Sequence, residues 1–311
     1  MDTEIACIRL GTVHVIPVTS PEIACRFLKE HDSIFSSRPI CMSASLVSNG
    51  YLTSAFLPMG EQWIKMRRVL ASHVLSPTSF QWLRPKRDEE ADHLLRFVYN
   101  HQQQCCDLPP RAINLRKLTR YYCANRIQIW KDANYKIVEK DILDVLIMLK
   151  DTDGYPLLSV KEIKAQVLEL MLATLDNPSN AVEWTMREMF MQPKIMQRAI
   201  EEIDTVAGNN NRLVQESDLP HLNYVKACIK EAFRLHPLAV FNAPHVSVSD
   251  AIVGEYFIPK GSLVLLSRLG LGRNPRVWED PSKFKPERHL LGGGEVVLTD
   301  SELRLLSFST G

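Results

Sequence analysis

Two residues of opposite charge, Glu231 and Arg234, stand three positions apart in a segment with helical periodicity. Side chains at i and i+3 lie on the same face of an α-helix, so this carboxylate and guanidinium can form an ion pair. An isolated pair of this kind is most often a solvated surface contact worth roughly a few tenths of a kcal/mol. A functional meaning therefore requires a third partner elsewhere in the chain.

Three further features of the sequence could take part in chemistry or position a ligand. Arg288 lies in the downstream segment Lys285-Pro-Glu-Arg-His289, and Trp63 and Arg67 share one face of a predicted helix. Pro178 lacks a backbone N–H and is expected to kink a helix, which leaves a carbonyl free to hold water or substrate. The alternatives are core packing for Trp63 and a plain break between two shorter helices at Pro178.

The composition indicates a folded protein with no dominant charge. The chain has 311 residues, 45% hydrophobic and 23% charged, with 37 basic against 36 acidic side chains. This balance argues against nucleic acid as a partner. The seven cysteines form no paired spacing typical of disulfide scaffolds or zinc ribbons, so no metal ligands are assigned. No apolar run approaches the roughly 20 residues of a membrane-spanning helix, and no targeting segment is visible.

Periodicity predicts a mainly α fold with small β-sheets in a single domain over residues 1–311. Residues 5–18 are typical of a hairpin, and residues 254–266 of two strands joined by a turn. Residues 85–135 are polar and only weakly specified. The predicted helices cover residues 60–75, 142–149 and 160–190. Two more are predicted, one from near Pro193 to the turn at Gly208 and one from Leu222 that is stopped by Pro237.

The order of these motifs resembles that of the cytochromes P450, the heme-thiolate monooxygenases. The resemblance rests on Glu231-x-x-Arg234, then Asn274-Pro-Arg-Val-Trp-Glu-Asp-Pro281, then Pro286-Glu-Arg288. It implies that Glu231 and Arg234 bond Arg288 and lock the segment beneath the heme. It also implies that Trp63 and Arg67 contact a heme propionate, and that His245 occupies a position where many relatives have a propionate-binding arginine.

A narrower resemblance is to the plant amino-acid N-monooxygenases that form aldoximes. It rests on Asp176-Asn-Pro-Ser-Asn-Ala-Val-Glu-Trp184, Phe241–Ser247, Ser267–Asn274 and the closing Ser307-Phe-Ser-Thr-Gly311. Asp176 retains the acid of the family's proton relay, whereas Asn177 replaces the usual threonine. The resemblance implies heme, an amino-acid substrate whose nitrogen is hydroxylated, and an NADPH-cytochrome P450 reductase as the electron source. It also implies the endoplasmic reticulum membrane and a place in glucosinolate or cyanogenic glucoside biosynthesis.

The chain also departs from the family pattern. The loop that carries the heme cysteine in the family ends here at Gly311, so the ligand is expected beyond that residue. The stretch from Tyr121 to Asp141 is shorter than expected, and the membrane anchor is missing, which predicts a soluble or cytoplasmic chain. The expectation is thus an incomplete P450 domain. Two hypotheses stay open: a truncated enzyme of the aldoxime-forming type, or an inactive, pseudogene-like product without the heme thiolate and with at most an interaction role.

Overall fold

The computed structural model describes residues 3–103, 142–208, 212–292 and 294–307. The chain divides into two compact units. The first unit joins Met1–Cys41 to Asn180–Gly311, and the second comprises Met42–Ser179. The single domain expected over residues 1–311 stays a prediction.

The described elements confirm a mainly α fold with small sheets. The helices are α1 (Pro21–Cys25, continued by a π-helical turn over Arg26–Glu30), α2 (Asp32–Phe35), α3 (Met42–Val47), α4 (Glu61–Val69, continued over Leu70–Val74), α5 (Pro77–Trp82), α6 (Arg84–Gln103), α7 (Ile142–Met148), α8 (Val160–Met191), α9 (Pro193–Ala207), α10 (Asn223–Leu235) and α11 (Arg268–Gly272). The strands are β1 (Ile8–Leu10), β2 (Val13–Val18), β3 (His245–Val246), β4 (Ala251–Val253), β5 (Tyr256–Ile258) and β6 (Leu263–Leu266). Short 3-10 helices cover Glu216–His221 and Pro286–His289.

A four-stranded sheet in the first unit joins distant parts of the sequence. The strand order is β1-β2-β6-β3, with β2 parallel to β6 and the outer pairs antiparallel. The predicted hairpin is confirmed: Leu10 pairs with Val13 around Gly11, whose φ of 63° favours glycine. Val18 and Leu266, at the ends of the central pair, are fully buried in the core of this unit.

The strands predicted within residues 254–266 are present as β5 and β6, but they belong to different sheets. β5 pairs with β4 in a separate two-stranded sheet. The prediction of a strand, a turn and a strand was therefore correct for these elements, but it did not say which strands they pair with. β4 and β5 form a tight hairpin in which Val253 pairs with Tyr256, whereas β6 pairs with β2, which is distant in sequence.

The second unit is helical around a core of apolar side chains from α4, α7 and the start of α8. Met66 and Leu146 are fully buried there. The helices predicted over residues 60–75 and 142–149 are confirmed by α4 and α7.

Helix α6 corrects the first part, residues 85–103, of the stretch expected to be weakly specified, and residues 104–135 lie outside the described residues. Arg84–Gln103 form a continuous 20-residue helix. Its sequence has little apolar periodicity, so the hydrophobic pattern missed it. Ion pairs at helical spacing support this polar helix instead, such as Lys86 with Glu89 at 2.7 Å.

Helix α8 runs without interruption from Val160 to Met191 and contains Pro178. The prediction of one helix through the proline is confirmed, and the alternative of two shorter helices is wrong. Pro178 has no N–H to donate to the carbonyl of Thr174 four residues earlier.

A capping box begins helix α8. The Glu162 carboxylate accepts from the Ser159 backbone N–H at 2.7 Å, and Ser159 Oγ accepts from the Glu162 N–H at 3.3 Å. Glu162 also accepts from Lys65 Nζ and Gln62 Nε2, both at 2.7 Å. Burial opposes ionisation, but these donors outweigh it and lower the pKa of Glu162 to about 2. One carboxylate thus ties α4 to the start of α8.

Replacing Glu162 by glutamine should lower the free energy of unfolding by about 1–2 kcal/mol, because the cap and the bond to the Lys65 cation are both weakened. Urea unfolding at pH 7 measures the change. Glu183→Gln, an exposed position on the same helix, is the control and should change stability by less than about 0.5 kcal/mol. Equal effects of the two substitutions would contradict the capping role.

Candidate functional site

Glu231 and Arg234 form a buried, two-pronged ion pair on helix α10. Arg234 Nε donates to Glu231 Oε2 at 2.9 Å, and the neighbouring terminal nitrogen donates to Oε1 at 2.8 Å. Both side chains are 0% exposed. The common explanation of a solvated surface contact is therefore wrong for this pair.

The Glu231 carboxylate also receives three bonds from the Lys285–His289 segment. Arg288 Nε donates at 3.0 Å, His289 Nε2 at 2.8 Å and the Lys285 backbone N–H at 2.9 Å. The predicted convergence of Glu231, Arg234 and Arg288 is present in the structure. Lys285 and His289 were not singled out from the sequence as members of this network.

Arg234 uses its remaining donors on backbone carbonyls. It donates to Gly272, to Pro281 at 2.6 Å and to Lys283 at 3.0 Å. Its guanidinium also lies 5.2 Å from the centre of the Trp278 ring. One buried cation therefore fixes the irregular segment between α11 and the Pro286–His289 turn.

The electrostatics of this cluster favour an ionised Glu231. Burial raises the pKa of Glu231. Hydrogen bonds from Arg234 and His289, together with the charge of Arg234, outweigh burial and lower this pKa to about 2. Burial lowers the pKa of His289 more than Glu231 raises it. Because a carboxylate only accepts, His289 Nε2 carries the proton of their shared bond.

Gly272 is packed against this network, and a Cβ atom there would overlap the backbone carbonyl of Arg234. Gly272→Ala should therefore cost about 1–3 kcal/mol of unfolding free energy, since neither backbone can yield locally. Thermal and urea unfolding test this. Gly292→Ala, where a Cβ would meet no atom within 4 Å, is the matched control and should be nearly neutral. A neutral Gly272→Ala variant would show that the close approach is not required.

Trp63 and Arg67 lie together on helix α4 of the second unit. The guanidinium stands 5.8 Å from the centre of the Trp63 ring. Trp63 is half-buried, whereas Arg67 is exposed. No hydrogen bond or ion pair joins the Arg67 guanidinium to another described residue, so its donors are available to an anion.

His245 begins strand β3 and is 6% exposed. Its Nδ1 lies 2.7 Å from the Phe35 carbonyl oxygen, which only accepts, so Nδ1 carries the proton. In the neutral ring Nε2 is then an acceptor, and it is buried without a partner among the described residues. Burial first, and the charge of Arg38 second, lower the pKa of His245 to about 4. The expected donation from His245 to an anion therefore requires the imidazolium form.

Asp176 and Asn177 precede Pro178 in the middle of helix α8. Asn177 Nδ2 donates to the Ala173 carbonyl at 2.8 Å, and Thr174 Oγ1 donates to Leu170 at 2.8 Å. The Asn177 amide is thus turned back onto its own helix. Asp176 is half-buried.

A cavity of about 220 Å³ adjoins α8 in the second unit. Its wall is mostly apolar and includes Leu172 and Ala173 of α8, whereas Thr174 and Asp176 are not among its lining residues. The Thr53 hydroxyl in this wall is buried without a partner among the described residues. Glu169, which also lines the cavity, accepts from the backbone N–H of Ser54 at 2.9 Å. The lining residues are Thr53, Ala55, Phe56, Glu169, Leu172 and Ala173.

Comparison with known proteins decides the family. A family model described as Cytochrome P450 matches residues 111–311. The whole chain is similar to isoleucine N-monooxygenase 1 of Lotus japonicus (43% identity, 73% of that protein covered), to phenylalanine N-monooxygenase of Arabidopsis thaliana (45%, 74% covered) and to tryptophan N-monooxygenase 1 of Arabidopsis thaliana (42%, 71% covered). The chain belongs to the cytochrome P450 family.

The fold comparison agrees. A zebrafish cytochrome P450 solved with progesterone superposes with a TM-score of 0.79 at 19% identity, covering 98% of this chain and 84% of the other. The predicted P450 fold is therefore confirmed, and heme is the cofactor of this family. As a P450, the chain requires a redox partner and acts on a small molecule.

This P450 is shorter than its relatives inside the matched region. The three alignments extend over 392 to 394 residues, compared with 311 in this chain. These lengths agree with the expectation that the chain is shortened internally. Its expected position between Tyr121 and Asp141 lies outside the described residues. Among the helices that are described, none has the length and apolar character needed to cross a bilayer.

The cysteines described in this P450 give a partial view of possible heme ligands. Cys228 is buried in α10, and burial first, then nearby carboxylates, raise its pKa to about 12. It therefore stays a thiol, whereas a heme ligand must be a thiolate. Cys7, Cys25 and Cys41 lie outside any loop of the family's ligand pattern.

Proposed function

We propose that this P450 is an N-monooxygenase of α-amino acids that forms aldoximes. The observation that carries the proposal is the similarity, along the whole chain, to relatives named for N-oxygenation of isoleucine, phenylalanine and tryptophan. The amino group is hydroxylated twice, and loss of water and carbon dioxide then gives the aldoxime. The comparisons do not favour the alternative of an inactive interaction protein.

Heme, when bound, supplies the activated oxygen for this reaction. Arg67 is suited to one propionate because its donors are free among the described residues and its position is fixed by Trp63. His245 is suited to a propionate on one condition. An arriving carboxylate would raise the low pKa of the buried ring, and the imidazolium would then donate from the partnerless Nε2.

Asp176 and Asn177 are proposed to handle protons in this site. The carboxyl of Asp176 is the titratable group, and Pro178 leaves the Thr174 carbonyl without its usual helical donor. A water bound to that carbonyl would lie within the same helical turn as Asp176. Asn177 Nδ2 donates to the Ala173 carbonyl, so the side-chain oxygen Oδ1 is the atom that would accept a hydrogen bond from a group that transfers a proton.

The apolar cavity beside α8 supports a substrate with an apolar side chain. Phe56, Leu172 and Ala173 line it, and the partnerless Thr53 hydroxyl offers one hydrogen bond. Cavities with an apolar lining and a single buried polar group orient small apolar ligands. We also propose an NADPH-dependent cytochrome P450 reductase as the electron donor and the endoplasmic reticulum as the location.

The test is turnover of the heme-loaded protein with NADPH, a plant P450 reductase and single amino acids: phenylalanine, isoleucine, valine and tryptophan. The expected result is an aldoxime, identified by mass, with one labelled carbon dioxide released from carboxyl-labelled substrate for each aldoxime formed. Hydrocinnamic acid, which lacks the amino group of phenylalanine, is the control and should give no oxime. Side-chain hydroxylation with the amine and carboxylate intact would overturn the proposal.

A further inference from the structure

A short segment of chain, residues 52–58, forms one wall of the cavity beside α8. Its backbone is irregular, and we refer to it as the strap. Three of the six lining residues named above belong to the strap, and the other three belong to α8. The cavity therefore lies between an irregular segment and a regular helix of the same unit.

One carboxylate of α8 binds the middle of the strap. Glu169 Oε2 accepts from the Ser54 backbone N–H at 2.9 Å and from the Ser54 hydroxyl at 3.1 Å. Glu169 Oε1 accepts from the Ala55 backbone N–H. Hydrogen bonds to an ionised group are roughly twice as strong as bonds between neutral groups. Three such bonds to two consecutive residues hold the strap against the helix.

The Glu169 carboxylate is oriented from its own helix. Gln166 lies one turn earlier, is 0% exposed, and donates from Nε2 to Glu169 Oε2 at 3.0 Å. Because the Gln166 side chain is buried, it keeps the carboxylate in one orientation. The acceptor oxygens therefore stay in place whether or not Ser54 and Ala55 are bonded to them, so the strap can leave and return to the same contact.

The strap begins after a turn of three consecutive residues with positive φ. Asn49, Gly50 and Tyr51 have φ values of 54°, 84° and 63°. Two of these residues carry a Cβ atom and rarely adopt this region. At the other end Gly60 precedes helix α4. Loops that close over a site rotate at a few backbone positions of this kind, so both ends of the strap are suited to act as hinges.

The strap is easier to move than the helix on the other side of the cavity. Helix α8 is continuous along this wall, and separating its turns would break the regular i→i−4 hydrogen bonds. In the strap, Thr53 and Leu57 are buried, whereas Phe56 is 37% exposed. Segments with few buried apolar contacts open at the lowest free energy. Opening of the cavity is therefore expected on the side of the strap.

We propose that the strap opens and closes this cavity and that Glu169 holds it closed. Ligand enters or leaves when Ser54 and Ala55 separate from the carboxylate. The inference deepens the proposed function, on which it rests for the use of the cavity as a ligand site, by naming the residue that controls exchange. The probe chosen below has no amino or carboxyl group, so its result is separate from that of the aldoxime assay.

The experiment measures the exchange of fluorobenzene with the heme-loaded full chain by fluorine NMR. The cavity of about 220 Å³ has room for this ring, since apolar cavities of about 150 Å³ bind benzene. Glu169→Gln keeps the side-chain size but removes the charge. The association and dissociation rate constants should both rise by about 10- to 100-fold, while Kd changes by less than about 3-fold. Glu183→Gln, exposed on the same helix, is the matched control and should leave both rates unchanged.

Two further variants test the position of the probe and the bonds to the strap. Ala173→Phe fills the cavity and should weaken fluorobenzene binding by at least about 10-fold. Ser54→Ala removes only the hydroxyl bond, should raise both rate constants by about 2- to 10-fold, and serves if Glu169→Gln does not fold. Hydrogen exchange of the Ser54 and Ala55 amides should accelerate by the same factor as the rate constants, because both report opening of the strap.

The remaining outcomes overturn the proposal. A changed Kd with unchanged rate constants in Glu169→Gln would make Glu169 a ligand contact or a packing residue. Fluorobenzene binding that Ala173→Phe does not weaken would place the probe outside the cavity. The inference also fails if the unmodified protein binds no fluorobenzene, or if both rate constants are unchanged in Glu169→Gln and Ser54→Ala. In each of these cases the proposed function stands, and it fails only if the turnover assay gives no aldoxime.

Discussion

Replacing Glu231 by glutamine is expected to lower the free energy of unfolding by about 3–5 kcal/mol. The substitution removes the only carboxylate bonded to Arg234 among the described residues and leaves that cation 0% exposed without a counter-charge. It also weakens the bonds from Arg288 and His289. Urea unfolding at pH 7 measures the loss. The matched control is Glu22→Gln, which breaks an exposed Glu–Arg pair at 2.8 Å and should cost less than about 0.5 kcal/mol.

The same variant has a pH signature. A carboxylate whose pKa falls from 4.5 to about 2 on folding stabilises the native state above pH 4.5, and this contribution disappears as the pH falls toward 2. The stability difference between the unmodified protein and Glu231→Gln should therefore be constant above that window and shrink within it. A difference that does not depend on pH would mean that lost packing, rather than lost charge, explains the effect.

Asp176→Asn is expected to lower the rate of aldoxime formation by about 10²- to 10⁴-fold, the range associated with one general acid or base. The amide has nearly the same shape but does not titrate, so the affinity for the amino acid and the heme content should stay unchanged. The measurement is kcat beside calorimetric Kd. NADPH consumption that continues without oxime formation would be the accompanying sign of failed proton delivery.

The control for this second variant is Asp153→Asn, an exposed aspartate in the loop before α8. It should retain the full rate. If Asp176→Asn also retains it, the proton-handling role proposed for Asp176 is wrong. If both kcat and heme content fall together, Asp176 acts through the structure of the helix.

The sequence predicted the parts of the fold that depend on local patterns. Helices α4, α8 and α10 have strong apolar periodicity, and the hairpin of β1 and β2 has alternation around a glycine. Helix α6 was not predicted, because ion pairs on an exposed surface stabilise it and these give no hydrophobic periodicity. The pairing of β5 with β4 was not predicted because the predicted segment began at Gly254 and left out Ala251–Val253, the first strand of this tight hairpin.

The candidate site divides in the same way. Spacing placed Glu231 and Arg234 on one helical face, and the family order of motifs added Arg288. Neither indicated His289 or the Lys285 N–H, because a histidine and a backbone donor have no spacing signal relative to a distant helix. The tautomer of His245 was also out of reach, since it is set by a contact with Phe35, 210 residues away in the chain.

The parallel pairing of β2 with β6 has a consequence for synthesis on the ribosome. Val15 finds its partner Leu263 only after nearly 250 further residues have been translated. At the usual 5–20 residues per second, the β1–β2 hairpin waits roughly 12–50 s with one edge open. Unpaired edges bind other extended chains. Nascent copies of this protein should therefore depend on chaperones that cover strand edges until Leu263–Leu266 emerge.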